Sequence, residues 1–350
     1  MILIKCWKIV MVGIFVAGLS NGTNHNENAH RLLCKVLREA VGAFKSDRGS
    51  EALKKVLKKT IFGDENGGNL DTLKGNLPGY YNDQQGRSRA NVCGQAPDGE
   101  YRTGKNLPWP GHSAPHDLVC LCTPGDKMWP FNNGIDTEKL CGQDKAALAE
   151  GKNEGWNSSR AGEEVKEQIK ATWANVTKTC LESDGNGNDL NEALKDFIGK
   201  LEKKPGTKYQ ERYQLGEGES HDYPCGGNGK VCVMYHNSTD NIKHKHPMPW
   251  WTELQKAIKV EEEKKEKKRR EEEKFKKEEA QNHQKAQKQD ESQPQHVPRV
   301  TAVKSAAPDT NEAHQGKTEN ISFPLATIED VSGTPILPPC SWLLSAFILI

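Results

Sequence analysis

The chain has 350 residues, and its 49 lysines and arginines stand against 48 aspartates and glutamates for a formal net charge of +1. So even a balance lacks the basic stripe that nucleic-acid binding requires, and no nucleic-acid partner is expected. Its ten cysteines make the compartment the first question, because pairing or metal binding follows from it.

At the N-terminus Lys5 and Lys8 precede the apolar run from Ile9 to Ala17, followed by the small residues Gly18 and Ser20. This is the pattern of a cleaved signal peptide over residues 1–20, too short in its apolar part to span a bilayer. At the other end Ser332, Gly333 and Thr334 precede a proline-rich spacer and an apolar terminus from Trp342 to Ile350. Small residues, spacer and apolar end form a GPI-attachment signal, with 333–350 removed and Ser332 the expected attachment residue; Asp330 and Gly333 are the alternatives. About nine apolar residues reach only about half the hydrocarbon thickness.

With Cys6 and Cys340 leaving in those segments, eight cysteines remain: Cys34, Cys93, Cys120, Cys122, Cys141, Cys180, Cys225 and Cys232. An even count in an oxidising compartment implies disulfides, and the sequence does not choose among the pairings. Asn157, Asn175, Asn237 and Asn320 head Asn-x-Ser/Thr tripeptides and are expected N-glycosylation sites. Asn21 heads another, beside the cleaved terminus.

Along the mature chain, Leu33, Val36, Leu37, Ala40, Val41 and Phe44 recur at three and four, predicting a helix over 29–44 capped by Asn26 or Asn28. Ser50 opens a second helix through Leu53, Val56, Leu57 and Ile61, which Gly63 and the Gly67–Gly68 pair end. Residues 63–162 show no sustained period, so disulfides and aromatics such as Tyr80, Tyr81, Tyr101, Trp109, Trp129 and Trp156 are expected to replace regular structure. Helical spacing returns at Glu163 with Val165, Ile169, Trp173 and Val176, and Cys180 in register behind them. A further helix runs from Asp189 to Leu201, and Lys203, Lys204, Pro205 and Gly206 stop it.

The next region reads as a second loop, in which Cys225 and Cys232 flank a glycine-rich turn that allows a small local disulfide. Residues 252–288 are mostly Glu, Lys, Arg and Gln with Glu-to-cation pairs four apart, as in Glu261/Lys265 and Glu266/Arg270. Many such pairs of ~0.2–0.5 kcal/mol predict a solvated helical rod of roughly 55 Å without a core face beyond Trp250, Trp251, Leu254 and Ile258. Residues 289–332 read as a flexible linker.

Catalytic and ligand motifs fail on their chemistry. The loop from Asp184 to Asn188 starts like a calcium loop but has Asp189 where glycine belongs and Lys195 where a bidentate glutamate is needed; a turn with Asp189 capping the next helix is the better account. His112, His116, Cys120 and Cys122 have zinc-compatible spacing, yet in an exported chain disulfides better explain those cysteines. His244 and His246 read as part of an exposed polar loop. The glycine-rich turn before Lys230 lacks phosphate-loop spacing and has Val231 where Ser or Thr should follow. No hydrolase or metalloprotease signature occurs, so no catalytic residue, cofactor, metal or small-molecule substrate is expected.

Several stretches together carry a family resemblance: Gly75 to Tyr81, Leu107 to His112, Leu118 to Gly125, Leu140 to Asp144, Arg212 to Gly218, and the Glu/Lys helix. Over essentially its whole length the chain resembles a trypanosome variant surface glycoprotein of the congolense kind, with a B-type-like N-terminal domain over 21–251. The resemblance implies a mainly α fold: an elongated antiparallel helical bundle, a loop-rich disulfide-stapled head, and the charged C-terminal helix. It makes the 29–44 and 163–180 helices the scaffold, with a Cys34–Cys180 bridge between them. It implies a non-enzymatic homodimer, held to the membrane by its GPI lipid and met by host antibodies. Its function would be shielding, antigenic variation and immune evasion; a GPI-anchored receptor for a host protein on the same scaffold is the alternative. Many relatives carry a cysteine-rich C-terminal domain, whereas no mature cysteine follows Cys232 here.

Overall fold

A computed structural model describes residues 22–81, 88–97, 107–132, 134, 136–149, 154–159, 163–183, 185–221, 223–237 and 247–290. The expected signal peptide, Asn21, Tyr101, Asp184, His244, His246, the linker beyond Asp290, Asn320, Ser332 and the C-terminal attachment signal all lie outside those residues.

A short strand β1 (Asn24–His25) leads into α1 (Glu27–Lys45), whose buried Ala29, Leu33, Val36, Leu37, Ala40 and Val41 form the stripe that the sequence period predicts. Asn26 occupies the N-cap position but is left-handed (φ 56°) and caps nothing with its side chain. Its carboxamide instead donates to the Leu121 and Val231 carbonyls, at 3.0 and 2.9 Å, and accepts from the Glu217 amide. Local capping is given up for three long-range bonds. The second helix, α2 (Glu51–Phe62), follows its sequence signals closely: the Ser50 side chain caps the Leu53 amide, and Gly63 ends the helix at φ 78°. A shorter helix, α3 (Leu70–Gly75), is capped by Asn69.

The stretch expected to lack regular structure holds α4 (Ala114–Cys122), capped by Ser113 and carrying Pro115 in its first turn. All nine of its residues are buried, and a helix buried on every side leaves no amphipathic period to detect. Beyond it come β2 (Lys139–Leu140), parallel to β1, and α5 (Lys145–Ala149).

The next helical stretch is α6 (Glu163–Thr172), a π turn at Trp173–Thr177, and α7 (Lys178–Glu182). Then α8 (Leu190–Lys200) runs antiparallel to α1: Leu190 and Asn191 lie near Ala43 and Ser46, Asp196 pairs with Lys35 at 3.1 Å, and Lys200 sits near Glu27 to Ala29. The antiparallel partner of α1 is therefore α8, while α7 meets α1 at the Cys34–Cys180 bridge. Asp189 makes no capping bond with its side chain, contrary to expectation. The loop before α8 is positioned by Glu39, whose carboxylate accepts from the Gly187 amide at 2.9 Å, and by the lack of a side chain on Gly42, where a methyl would overlap the Gly185 carbonyl.

The region read as a second loop instead contains a three-stranded antiparallel sheet, β3 (Glu202–Lys203), β4 (Arg212–Gly216) and β5 (Cys232–His236), in that order, with Tyr213 opposite Tyr235. Every residue of β5 is buried and the strand packs on α4. The last helix, α9 (Trp250–Asp290), starts inside the core, where Trp250 lies 5.3 Å from Phe197 and Trp251 6.0 Å from Tyr235, ring to ring. Beyond Ile258 it leaves the core, and from Glu262 to Gln281 every residue but the half-buried Glu266 is exposed. Glu266 pairs with Arg270 as expected, at 2.9 Å, whereas Glu261 turns instead to the Ser50 amide. The protein is mainly α.

Two helical glycines should separate packing from propensity. Gly42→Ala should lower unfolding stability by ~1–3 kcal/mol through overlap with Gly185. Gly199, on α8 with nothing near its missing Cβ, should gain ~0.5–1 kcal/mol on conversion to alanine. Urea midpoints of the two variants check both, and a neutral Gly42→Ala would show that the α1–loop contact is not tight.

Candidate functional site

The chemistry-bearing residues singled out in the sequence converge on α4 and its surroundings. Cys120 pairs with Cys93 and Cys122 with Cys141, so opposite sides of the last turn of one buried helix are stapled to two different loops. Cys34 pairs with Cys180 across 146 residues, and Cys225 with Cys232 across the glycine-rich turn. Because Cys120 and Cys122 are oxidised to separate partners, the zinc-like set with His112 and His116 offers no thiolates. His116 instead ties α4 to its neighbours, since its Nε2 donates to the Val92 carbonyl at 2.9 Å and its Nδ1 accepts from the Tyr81 hydroxyl at 2.5 Å.

Two buried charges that sequence reasoning missed also centre on α4. The Arg89 guanidinium is fully buried, donates to the carbonyls of Cys120, Thr123 and Trp156, and stacks 5.0 Å from the Trp156 ring. Its counter-charge is the negative end of α4, and burial pushes its ionisation down to about 9. No motif marks Arg89, which follows Arg87 by two residues in a polar stretch of sequence. The Asp117 carboxylate accepts from the Gly111 amide at 2.9 Å and the Trp250 indole at 2.7 Å, tying α4 to the root of α9.

Among the described residues, His30, Cys34 and Cys180 bring three metal-ligating atoms within 4.8 Å of one another, but the two sulfurs are joined in the disulfide. Burial, and then the charge of Arg38, push His30 down to about 4, so it is neutral beside the bridge at physiological pH.

The sequons stand in different surroundings. Asn175 is exposed on the π turn, with its amide donating to the Ala147 carbonyl at 2.7 Å. Asn157 is only 7% exposed and its amide donates to Asp126 at 2.7 Å. Asn237 is half-buried and accepts from the Thr252 hydroxyl at 2.8 Å.

A mainly helical core stapled by four disulfides, with a charged helix leaving it, is what the resemblance implied; the buried helix α4 is not. The sequence profile of the trypanosomal VSG domain matches residues 35–280, from inside α1 to inside α9. The chain belongs to the trypanosomal VSG family. The match takes in three of the four bridges whole and Cys180 of the fourth, whose Cys34 lies one residue before it. No curated protein matches the chain. VSG proteins form a structural surface coat and are not an enzyme family, in keeping with the structural duties of His116, Arg89 and Asp117 in this VSG. No helix among the described residues is long and apolar enough to cross a membrane.

Burial raises the Asp117 carboxyl from 3.8 to about 7, against the pull of its bonds to Gly111 and Trp250. A folded-state value above the unfolded one means that the protonated acid favours folding below about pH 4 and that this contribution fades as pH rises toward about 7. Asp117→Asn removes the titration. The stability advantage of the parent over the variant in urea unfolding should therefore shrink between about pH 4 and pH 7; an advantage that holds constant or grows would exclude a buried protonated acid.

Proposed function

We propose that this VSG is a GPI-anchored coat subunit that shields the trypanosome membrane sterically and varies its exposed loops to escape host antibodies. The observation that carries the reading is the VSG-domain match running through the whole stapled core and into the charged helix. In this reading residues 1–20 export the chain and 21–251 form the N-terminal domain. The 252–288 helix and the 289–332 linker are the spacer, and 333–350 are exchanged for glycolipid at Ser332. Two acyl chains give lasting membrane residence where one is marginal, and a homodimer doubles the anchorage.

The division of labour is physical. Loops held by bridges and by buried side chains present the outer surface, while the helices keep the shape. Phospholipase C specific for phosphatidylinositol should release the protein from intact cells, with a lipase-resistant, inositol-acylated control, and quantitative surface proteomics should rank it among the most abundant surface chains. Retention after effective lipase treatment overturns the anchor, and a sparse protein points instead to a receptor for a host protein.

Of the four expected glycosylation sites, Asn175 is the most accessible of those described, whereas Asn157 is 7% exposed and its burial opposes a glycan there. Asn175→Gln should remove one glycan's mass from the purified protein, read by glycosidase digestion and intact-mass spectrometry. Asn157→Gln should leave the mass ladder unchanged.

A further inference from the structure

Between α7 and α8 the chain runs through Gly185, Asn186, Gly187 and Asn188. Where glycine follows asparagine, no side chain obstructs attack of the glycine nitrogen on the asparagine carboxamide. Three such pairs lie among the described residues, headed by Asn66, Asn186 and Asn228, and their hydrogen bonds set them apart.

At Asn186 both halves of that reaction are provided for. Its Oδ1 accepts from the Asn188 amide at 2.8 Å, an Asx turn that folds the carboxamide over the Gly187 peptide. The Asn188 N–H thereby faces the oxygen on which negative charge gathers when Cγ is attacked. On the other side, the Gly187 amide donates to the Glu39 carboxylate of α1 at 2.9 Å. That acceptor draws the N–H proton within the peptide plane and leaves the faces of the nitrogen open, which is the position of a general base. Asn186 is exposed, so water reaches the product.

The other two pairs lack this combination. Asn66 donates its carboxamide N–H to Asp64 at 3.0 Å, and the Gly67 amide donates to the Asp64 main-chain carbonyl at 3.0 Å, a far weaker base than a carboxylate. Asn228 accepts from the Ser158 hydroxyl at 3.2 Å, and no carboxylate among the described residues accepts from the Gly229 amide.

We propose that Asn186 is a site of structure-assisted deamidation. The Gly187 nitrogen bonds to Asn186 Cγ, its proton passes to Glu39, and the Cγ–Nδ2 bond breaks as that proton leaves with the nitrogen as ammonia. The resulting imide has no hydrogen on the Gly187 nitrogen, so the bond to Glu39 is lost. One water then opens either imide carbonyl, leaving aspartate or isoaspartate. Isoaspartate lengthens the main chain where there is no room, since a methyl on Gly185 or Gly187 would already overlap the Arg38 carbonyl or the Ala43 main chain. Each conversion adds a negative charge to the loop and loosens its seat on α1. The reaction needs no enzyme and is independent of the coat reading.

The test is peptide mapping by mass spectrometry of the purified glycoprotein after timed incubation at neutral pH, folded and in urea. In the folded protein Asn186 should convert at least about tenfold faster than Asn66, and in urea the two rates should converge. Glu39→Gln, whose amide oxygen can still accept from Gly187 but is no base, should slow Asn186 about tenfold and leave Asn66 unchanged. Thermal melts matched to the parent show that the variant is folded, and the comparison within the parent stands without it. An Asn186 that converts no faster than Asn66 when folded, a preference that survives in urea, or a folded Glu39→Gln variant that converts at the parent's rate overturns the proposal.

Discussion

Everything around α4 depends on a buried positive charge without a carboxylate partner. Taking a guanidinium out of water costs several kcal/mol unless its donors are met. Arg89 offsets most of that cost through the last carbonyls of α4, the Trp156 carbonyl and the face of the Trp156 ring, while its Nε has no acceptor among the described residues. The orphan carbonyls that any helix leaves at its C-terminus become the counter-charge, and the helix end becomes the point where otherwise separate segments meet. Gly227 completes the arrangement, since at φ 77° a side chain there would be strained and would also strike the Arg89 methylenes. Fixing that end also fixes where Cys120 and Cys122 stand, and so which loops the two bridges can reach.

The same logic recurs beyond Arg89. Asn26 grips the Leu121 and Val231 carbonyls, His116 the Val92 carbonyl and His236 the Gly94 carbonyl. In each case the hydrogen bond goes to main chain, although Leu121, Val231 and Val92 are themselves buried. A carbonyl is present whatever residue carries it. Segments held by their backbone can change side chains without losing their anchorage, and the disulfides act likewise by demanding one cysteine per loop. These bonds act beside a continuous apolar core that runs from α1 to the root of α9.

How much of this could be read from the sequence depended on whether a residue's partners were local. The helices α1, α2, α8 and α9 announced themselves through period, Ser50, Gly63 and charge pairing, all within one or two turns. For α4 the signal failed because burial on all sides erases the alternation that period analysis needs, and β5 failed for the same reason, with all five of its residues buried. Asn26 carries a capping residue's identity and sits at a helix start, yet its bonds run 95 and 205 residues away. Asp189 looks like a cap and makes no capping bond, because Glu39 already holds that loop. Arg89 and Asp117 left no trace, since a charge in an aperiodic stretch of sequence reads as solvated until the fold surrounds it.

The charged helix shows the opposite limit, where local chemistry decides nearly everything. Its fixed part is the first turns, where Trp250 donates to Asp117 and Lys59 pairs with Glu253 at 2.7 Å. Past Ile258 the exposed apolar residues Val260 and Phe275, at 46% and 68%, are too far apart along the helix to form a seam. What remains is a ladder in which Arg269 and Arg270 share Glu266 and Lys267 and Lys268 reach Glu271 and Glu272. Such exposed pairs each contribute little and weaken with salt. The direction of α9 is therefore set at its root by the buried Asp117–Trp250 bond, while its persistence is set by ionic strength. A helix built this way separates two demands, since its charge keeps it in water and only its root must be specified by the core.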